Sequence, residues 1–151
     1  PRDWDFIGWP ITHLAMTEEQ DIIQKIHGSP YRGVIAVSGA GSQAVAWLLG
    51  VAGASRTLLE VLMPYGRLSM IDFLGFEPGQ FVSEDTARNM ARAAFRRAVG
   101  LLEGDFPALG LACTATIATD YAKRGKHGCR VCVIERARCT QYAVTLQKGR
   151  N

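Results

Sequence analysis

No apolar run in this sequence approaches the roughly 20 residues that a helix needs to cross a bilayer, so no membrane partner is expected. Nor is one sign of charge gathered anywhere. Seventeen Lys and Arg stand against fourteen Asp and Glu, a net charge of +3, with a local basic excess only from Lys123 onward. A protein that binds phosphate backbones concentrates its basic residues on a patch or stripe, so nucleic acid is not an expected partner either. Repeats, low-complexity tracts and linker-like stretches are missing, which leaves a single folding unit. The chain opens on Pro1 rather than Met, so its targeting is not legible.

Cysteine is scarce and late: Cys113, Cys129, Cys132 and Cys139. A chain of 151 residues can bury enough surface to fold without disulfides, so these are expected to be reduced thiols in a cytosol-like compartment, and a cytoplasmic location follows. Cys129-Arg130-Val131-Cys132 has the form of a redox or zinc motif. It falls inside an expected strand, however, where positions three apart point to opposite faces. No second such motif and no paired histidines complete a four-ligand set, so neither a metal nor any other cofactor is expected. His13 and His27 have no recognisable partners.

What is present is a globular composition. Hydrophobic residues make up 48% of the chain and charged ones 21%, a slightly low value that points to surface buried between subunits. Residues 1–16, with Trp4, Phe6, Trp9 and Pro10, read as an extended arm packed onto something. Together with the low charge they predict a homo-oligomer. Residues 17–151 read as one domain. Thr17-Glu18-Glu19-Gln20 has capping-box form and opens a helix ending near Gly28. Gly33 to Ser38 is a short β-branched run, expected as a buried strand. A helix is expected over Gln43–Leu49, a strand over Leu58–Met63 stopped by Pro64, and a helix over Arg67–Leu74 closed by Gly75. Ser83 caps the clearest helix, apolar at Met90, Ala91, Ala94, Phe95, Ala98 and Leu101, which is expected to run to Gly104. Strands are expected over Leu109–Thr114, Cys129–Glu135 and Thr140–Leu146, the last two as an antiparallel hairpin. Helices alternating with short apolar strands predict an α/β fold: a layered sandwich with a mixed, mostly parallel sheet and helices on its faces.

Three places carry side chains suited to chemistry. Ser38-Gly39-Ala40-Gly41-Ser42 sits at a strand-to-helix turn, where glycines let the backbone approach a ligand and opening N–H groups favour negative charge. Such a turn holds a phosphate or places a hydroxyl nucleophile beside an oxyanion hole; equally, Ser38 or Ser42 can simply cap the helix. Cys113-Thr114-Ala115-Thr116 ends a strand, and ligands of open α/β sheets sit at the carboxyl ends of strands. The polar loop that follows, Asp120 to His127, either covers an anionic substrate with Lys126 and His127 or is a solvated connection. In Pro64-Tyr65-Gly66-Arg67, Tyr65 can orient a nucleophile and Arg67 can pair with phosphate, or both are ordinary turn residues.

In their order along the chain these features resemble a divergent branch of the CinA (competence/damage-inducible) C-terminal domain family. Members carry a Ser-Cys-Thr-Gly-Gly turn after the first strand, then a helix and an Ala-Gly-Ser-Ser-like segment. Ser38 to Ser42 and Ala52-Gly53-Ala54-Ser55 match these with equal spacing between them. Tyr65-Gly66-Arg67 holds the place of the family's Tyr-Ser-Asn turn. Val82-Ser83-Glu84 and Met90-Ala91 are similar to its Ala-Val-Ser segment and Met-Ala helix. Cys113 to Thr119 is similar to its Ser/Thr-Gly-Ile-Ala-Gly-Pro loop. The resemblance spans roughly residues 17 to 146.

That resemblance implies nicotinamide mononucleotide amidohydrolase activity, releasing ammonia and leaving nicotinic acid mononucleotide without a metal. Ser38 would be the nucleophile, with Tyr65 assisting and the amides from Gly39 through Gly41 to Ser42 stabilising the oxyanion. Thr114 and Thr116 would line a pocket for a small nucleotide ligand. One departure is chemical: the family's lysine, five residues after the turn tyrosine, is Met70 here. A serine hydroxyl needs an adjacent base, and Met cannot serve; Lys126 or His127 can supply one from the loop. The alternative is a catalytically inactive CinA-like domain acting in nucleotide binding, oligomerisation or regulation.

Overall fold

A computed structural model describes residues 17–116 and 127–146. The expected arm over 1–16 and most of the 120–127 loop, Lys126 included, lie outside the described residues. In chain order come α1 (Glu18–His27), β1 (Arg32–Ser38), α2 (Ser42–Gly50), a 3₁₀ turn (Ala54–Arg56), β2 (Leu58–Leu62), α3 (Arg67–Leu74), α4 (Glu84–Leu101), β3 (Ala108–Thr116), β4 (His127–Ile134) and β5 (Cys139–Leu146). The strands form one sheet in the order β2-β1-β3-β4-β5. The α/β expectation is borne out and the sheet is mixed. β1 pairs parallel with β2 and β3, while β3–β4 and β4–β5 are antiparallel, so the two kinds of pairing are equal in number and the sheet is not mostly parallel as expected, because the closely spaced β4 and β5 fold back as a hairpin.

Local signals account for most of the elements. The Thr17 hydroxyl accepts from the Gln20 N–H at 3.3 Å and the Gln20 side chain accepts from the Thr17 N–H at 3.0 Å, closing the capping box. Gly75 ends α3 in the left-handed region at φ 84°, where a glycine carries no Cβ penalty. β1 is central, flanked by β2 and β3, and every residue from Gly33 to Ser38 is buried. On the opposite side of the domain from α4, His27 is buried and staples three segments. Its Nε2–H donates to the Leu48 carbonyl at 2.9 Å, and its Nδ1 shares a hydrogen bond with the Thr57 hydroxyl at 2.6 Å.

The core lies between α4 and the sheet. Ala87, Met90, Ala91, Ala94 and Ala98 of α4 are all fully buried against Val34 and Ala36 of β1, Ala112 of β3 and Cys132 of β4, with Met70 and Leu74 of α3 completing the cluster. Four of these five helix positions are alanines, which lets the helix axis come close to the strands. The closest approach is at Gly110. A Cβ there would collide with the Ala91 carbonyl oxygen and the Phe95 N–H nitrogen of α4. The periodic stripe ends early: Leu101 is exposed, and α4 stops there rather than at Gly104 because Leu102 turns to extended backbone.

The four cysteines are unbridged and fall into two cross-strand pairs: Cys113 and Cys129 with sulfurs 3.4 Å apart, and Cys132 and Cys139 at 3.5 Å. Strand alternation separates Cys129 from Cys132 onto opposite faces, as expected. Burial, reinforced by the neighbouring thiol, pushes Cys113 and Cys132 up to about 12.

Two predictions follow from this packing. Gly110→Ala should cost about 1–3 kcal/mol through overpacking, read as a lower urea midpoint at unchanged slope. A midpoint equal to the parent's would mean that α4 does not sit on β3 this closely. The second concerns alkali. The folded state holds the Cys132 proton to about 12, whereas the unfolded thiol releases it near its ordinary value of 9.0. Ionisation therefore favours the unfolded chain in that window, and stability should fall as pH rises from about 9. Cys132→Val should show a shallower decline than the parent in denaturation midpoints taken across the same window.

Candidate functional site

The carboxyl end of β1 opens the site. Ser38 is its last residue and is 9% exposed, and its hydroxyl donates to the Pro64 carbonyl at 3.2 Å. The chain then turns through Gly39 at φ 80° and Gly41 at φ 108°. Gly39 has a second reason to be glycine: a Cβ would collide with the Ala115 carbonyl of β3. Gly41, not a serine, is the N-cap of α2, and no side chain caps that end. Ser38 and Ser42 are thus free of the capping role that the sequence left open.

Around this turn is a recess of about 90 Å³ lined by Val37, Ser38, Gly39, Ala40, Ser42, Met63 and Tyr65. It brings together four of the expected site residues: Ser38, Gly39, Ser42 and Tyr65. Tyr65 is 71% exposed at its mouth. Sites for drug-sized ligands occupy about 300–1,000 Å³, so this recess fits a functional group rather than a nucleotide. Met63 also borders a larger recess of about 530 Å³ that includes Ser69, Asp72, Arg96 and Arg97. Glu60 holds Arg97, and Arg96 pairs with no carboxylate among the described residues. Sequence reasoning passed over Met63 and Arg96, because neither sits in a motif; only the approach of α4 to the end of β2 reveals them.

The other expected residues take varied positions. Thr114 is directly opposite Ser38 in the β1–β3 register, but it is buried and its hydroxyl donates to the Phe81 carbonyl at 2.7 Å. Thr116 ends β3 half-buried. Arg67 opens α3 and makes a two-pronged pair with Glu77, both contacts at 2.7 Å, which holds the Glu77 carboxyl below its ordinary range. His127 is the first residue of β4 rather than part of a loop. Val34 and Ala36 face α4, so Ser38 does too. Across the sheet Thr114 aligns with Ser38, and Arg130 aligns with Thr114. Alternation then sets His127, three residues from Arg130, on the opposite face from Ser38. Met70, which the resemblance sets in the place of a lysine, is fully buried in the core. Among the described residues the one hydrogen-bond partner of the Ser38 hydroxyl is the Pro64 carbonyl, so no acid or base touches it. No group of three or more His, Cys, Asp or Glu converges among the described residues in a way that could hold a metal. No helix among them is long and apolar enough to cross a membrane.

The arrangement presents a hydroxyl beside glycine backbone at the ends of parallel strands, the usual ligand position in open α/β sheets. Comparison with known proteins bears on it. No family model matches the sequence, and no curated protein matches it. Solved structures do. The competence/damage-inducible protein CihA from Agrobacterium tumefaciens is 19% identical, with a TM-score of 0.63 over 86% of this chain and 82% of that one. A CinA superfamily protein from Escherichia coli is 14% identical, with a TM-score of 0.65 over 93% of this chain and 87% of that one. A competence or damage-inducible protein from Enterobacter asburiae is 15% identical, with a TM-score of 0.66 over 85% of this chain and 81% of that one. Identities this low speak for the backbone and not for the chemistry, and on that footing the chain has the fold of the CinA superfamily proteins.

Proposed function

We propose that this CinA-like domain binds a small nucleotide bearing a carboxamide and hydrolyses that amide, nicotinamide mononucleotide being the substrate its resemblance implies. The observation that carries the reading is the convergence of Ser38, Gly39, Ser42 and Tyr65 on one recess sized for a functional group. The carboxamide enters the recess, and the nucleotide extends over exposed Tyr65. The Ser38 oxygen attacks the amide carbon, and backbone N–H groups at the start of α2 receive the charge that develops on the oxygen. The Ser38 proton passes to the nitrogen, which leaves as ammonia. Water then cleaves the ester, restoring Ser38 and releasing nicotinic acid mononucleotide. For this the Ser38 hydroxyl must leave Pro64 and meet a base. Lys126 is the remaining candidate, since Met70 is apolar and strand alternation turns His127 away.

A second reading is a domain that binds the nucleotide without turning it over. The Ser38–Pro64 hydrogen bond and the buried Met70 favour it.

Ammonia release from nicotinamide mononucleotide by the purified chain separates the two. Turnover should drop at least about 10²-fold in Ser38→Ala, the scale expected for losing an essential group. Equal turnover in parent and mutant would end the hydrolytic reading. Zero turnover in the parent, with the melting temperature raised by the nucleotide, would establish the binding reading instead.

A further inference from the structure

The four thiols take no part in the chemistry proposed for Ser38, yet they stand in two pairs with sulfurs almost equally close: 3.4 Å for Cys113–Cys129 and 3.5 Å for Cys132–Cys139. Exposure separates the pairs. Cys113 and Cys129 are both half-buried, whereas Cys139 is exposed and Cys132 is fully buried beneath α4. The second pair therefore holds one sulfur in solvent against another fixed in the core. The hairpin sets this contact. Glu135 and Arg138 exchange backbone hydrogen bonds at 2.9 and 3.4 Å across the turn, so Ile134 lies opposite Cys139 and Cys132 opposite Gln141. Cys132 and Cys139 are thus diagonal neighbours on one face of the strand pair. Gln141 ties that face to α4, accepting from the Arg88 guanidinium at 3.1 Å and donating to the Glu84 carbonyl at 2.9 Å. A disulfide needs a separation of about 2.0 Å, an approach that Cys139 makes from the surface towards a sulfur that the core holds still.

We propose that Cys132 and Cys139 form a dithiol site that hydroperoxides oxidise to a disulfide, Cys139 reacting first and Cys132 resolving it. The Cys139 thiolate attacks the terminal oxygen of the hydroperoxide and the O–O bond breaks. Sulfur keeps that oxygen as a sulfenic acid, and the other oxygen leaves as hydroxide or alkoxide, which solvent protonates. The Cys132 sulfur then attacks the Cys139 sulfur. The S–S bond forms, the S–O bond breaks, and the hydroxyl leaves as water carrying the Cys132 proton. Two thiols have then supplied the two electrons that reduce the hydroperoxide. Burial decides the order of events. It pushes Cys132 up to about 12, so this sulfur stays a thiol and does not meet the oxidant itself. A thiol reductant reverses the link by exchange, returning both cysteines. The half-buried Cys113–Cys129 pair is the internal control, equally close but without an exposed member.

Peptide mapping of the full chain tests this. The reduced protein is exposed to hydrogen peroxide, alkylated and digested with trypsin, which cuts after Arg136 and Arg138 and so parts the two thiols. A cross-linked product of residues 131–136 and 139–148 should accumulate several-fold faster than one joining Cys113 to Cys129, within single chains, and dithiothreitol should remove it. Cys132→Ala should leave the sulfenic acid unresolved, so that dimedone labels Cys139 several-fold more than in the parent. Cys139→Ser, a change at an exposed position, should leave Cys132 reduced over the same exposure. Three results would overturn the proposal: a Cys113–Cys129 link that forms first, dimedone labelling of Cys139 that is equal in parent and Cys132→Ala, or a Cys132–Cys139 link that forms only between chains or only in denaturant.

Discussion

The fold turns on how closely α4 lies against β3. Alanines at 87, 91, 94 and 98 remove side-chain bulk from the helix, and Gly110 removes it from the strand. What remains is backbone against backbone at Ala91 and Phe95, a contact that only a residue without Cβ permits. Everything on that side of the sheet takes its position from it. β3 is held beside β1, so the ends of both parallel strands meet at one edge. α3 is pressed in from the side until Met70 and Leu74 vanish into the core. A bulkier helix face would lift α4 away, and the recess behind Met63 would lose its wall of Ala93, Arg96 and Arg97.

The same packing explains the division of the candidate site. Ser38 continues the row of Val34 and Ala36 and so faces inward, towards Pro64, at the margin of the core. Thr114 continues the row of Ala112 and is drawn fully inside, its hydroxyl occupied by the Phe81 carbonyl. Two hydroxyls at matching register positions thus have different fates. One borders a recess and the other tethers the segment leading into α4. Gly39 makes the difference, since its approach to the Ala115 carbonyl lifts the chain out of the sheet immediately after Ser38.

Much of this was legible in the sequence, because the relevant signals are local. The capping box at Thr17, the terminator Gly75, the N-cap Ser83 and the period of α4 act within a few residues, and each marks an element that the structure contains. What was not legible depends on register. His127 reads as a loop residue because glycine and cations surround it, but pairing with β5 makes it strand. Cys129-Arg130-Val131-Cys132 draws attention as a unit, yet its two thiols belong to different pairs, set by diagonals across β3–β4 and β4–β5. Spacing cannot reveal a diagonal. Likewise, Ser38 and Ser42 each had the composition of a cap, and only the dihedral angles gave that place to Gly41.

The recess also shows why a shared backbone leaves the chemistry open. The turn is constrained by glycines that must adopt positive φ and by a carbonyl that leaves no room for Cβ, so its shape follows from main-chain geometry. A base beside Ser38 is under no such constraint. Met70 adds an apolar residue to a cluster that already holds Leu74 and Met90. Met70 therefore suits the core while offering no proton acceptor, and stability alone does not demand one. The backbone fixes the shape of the recess, while a proton acceptor for Ser38 would rest on a side chain that the packing does not require.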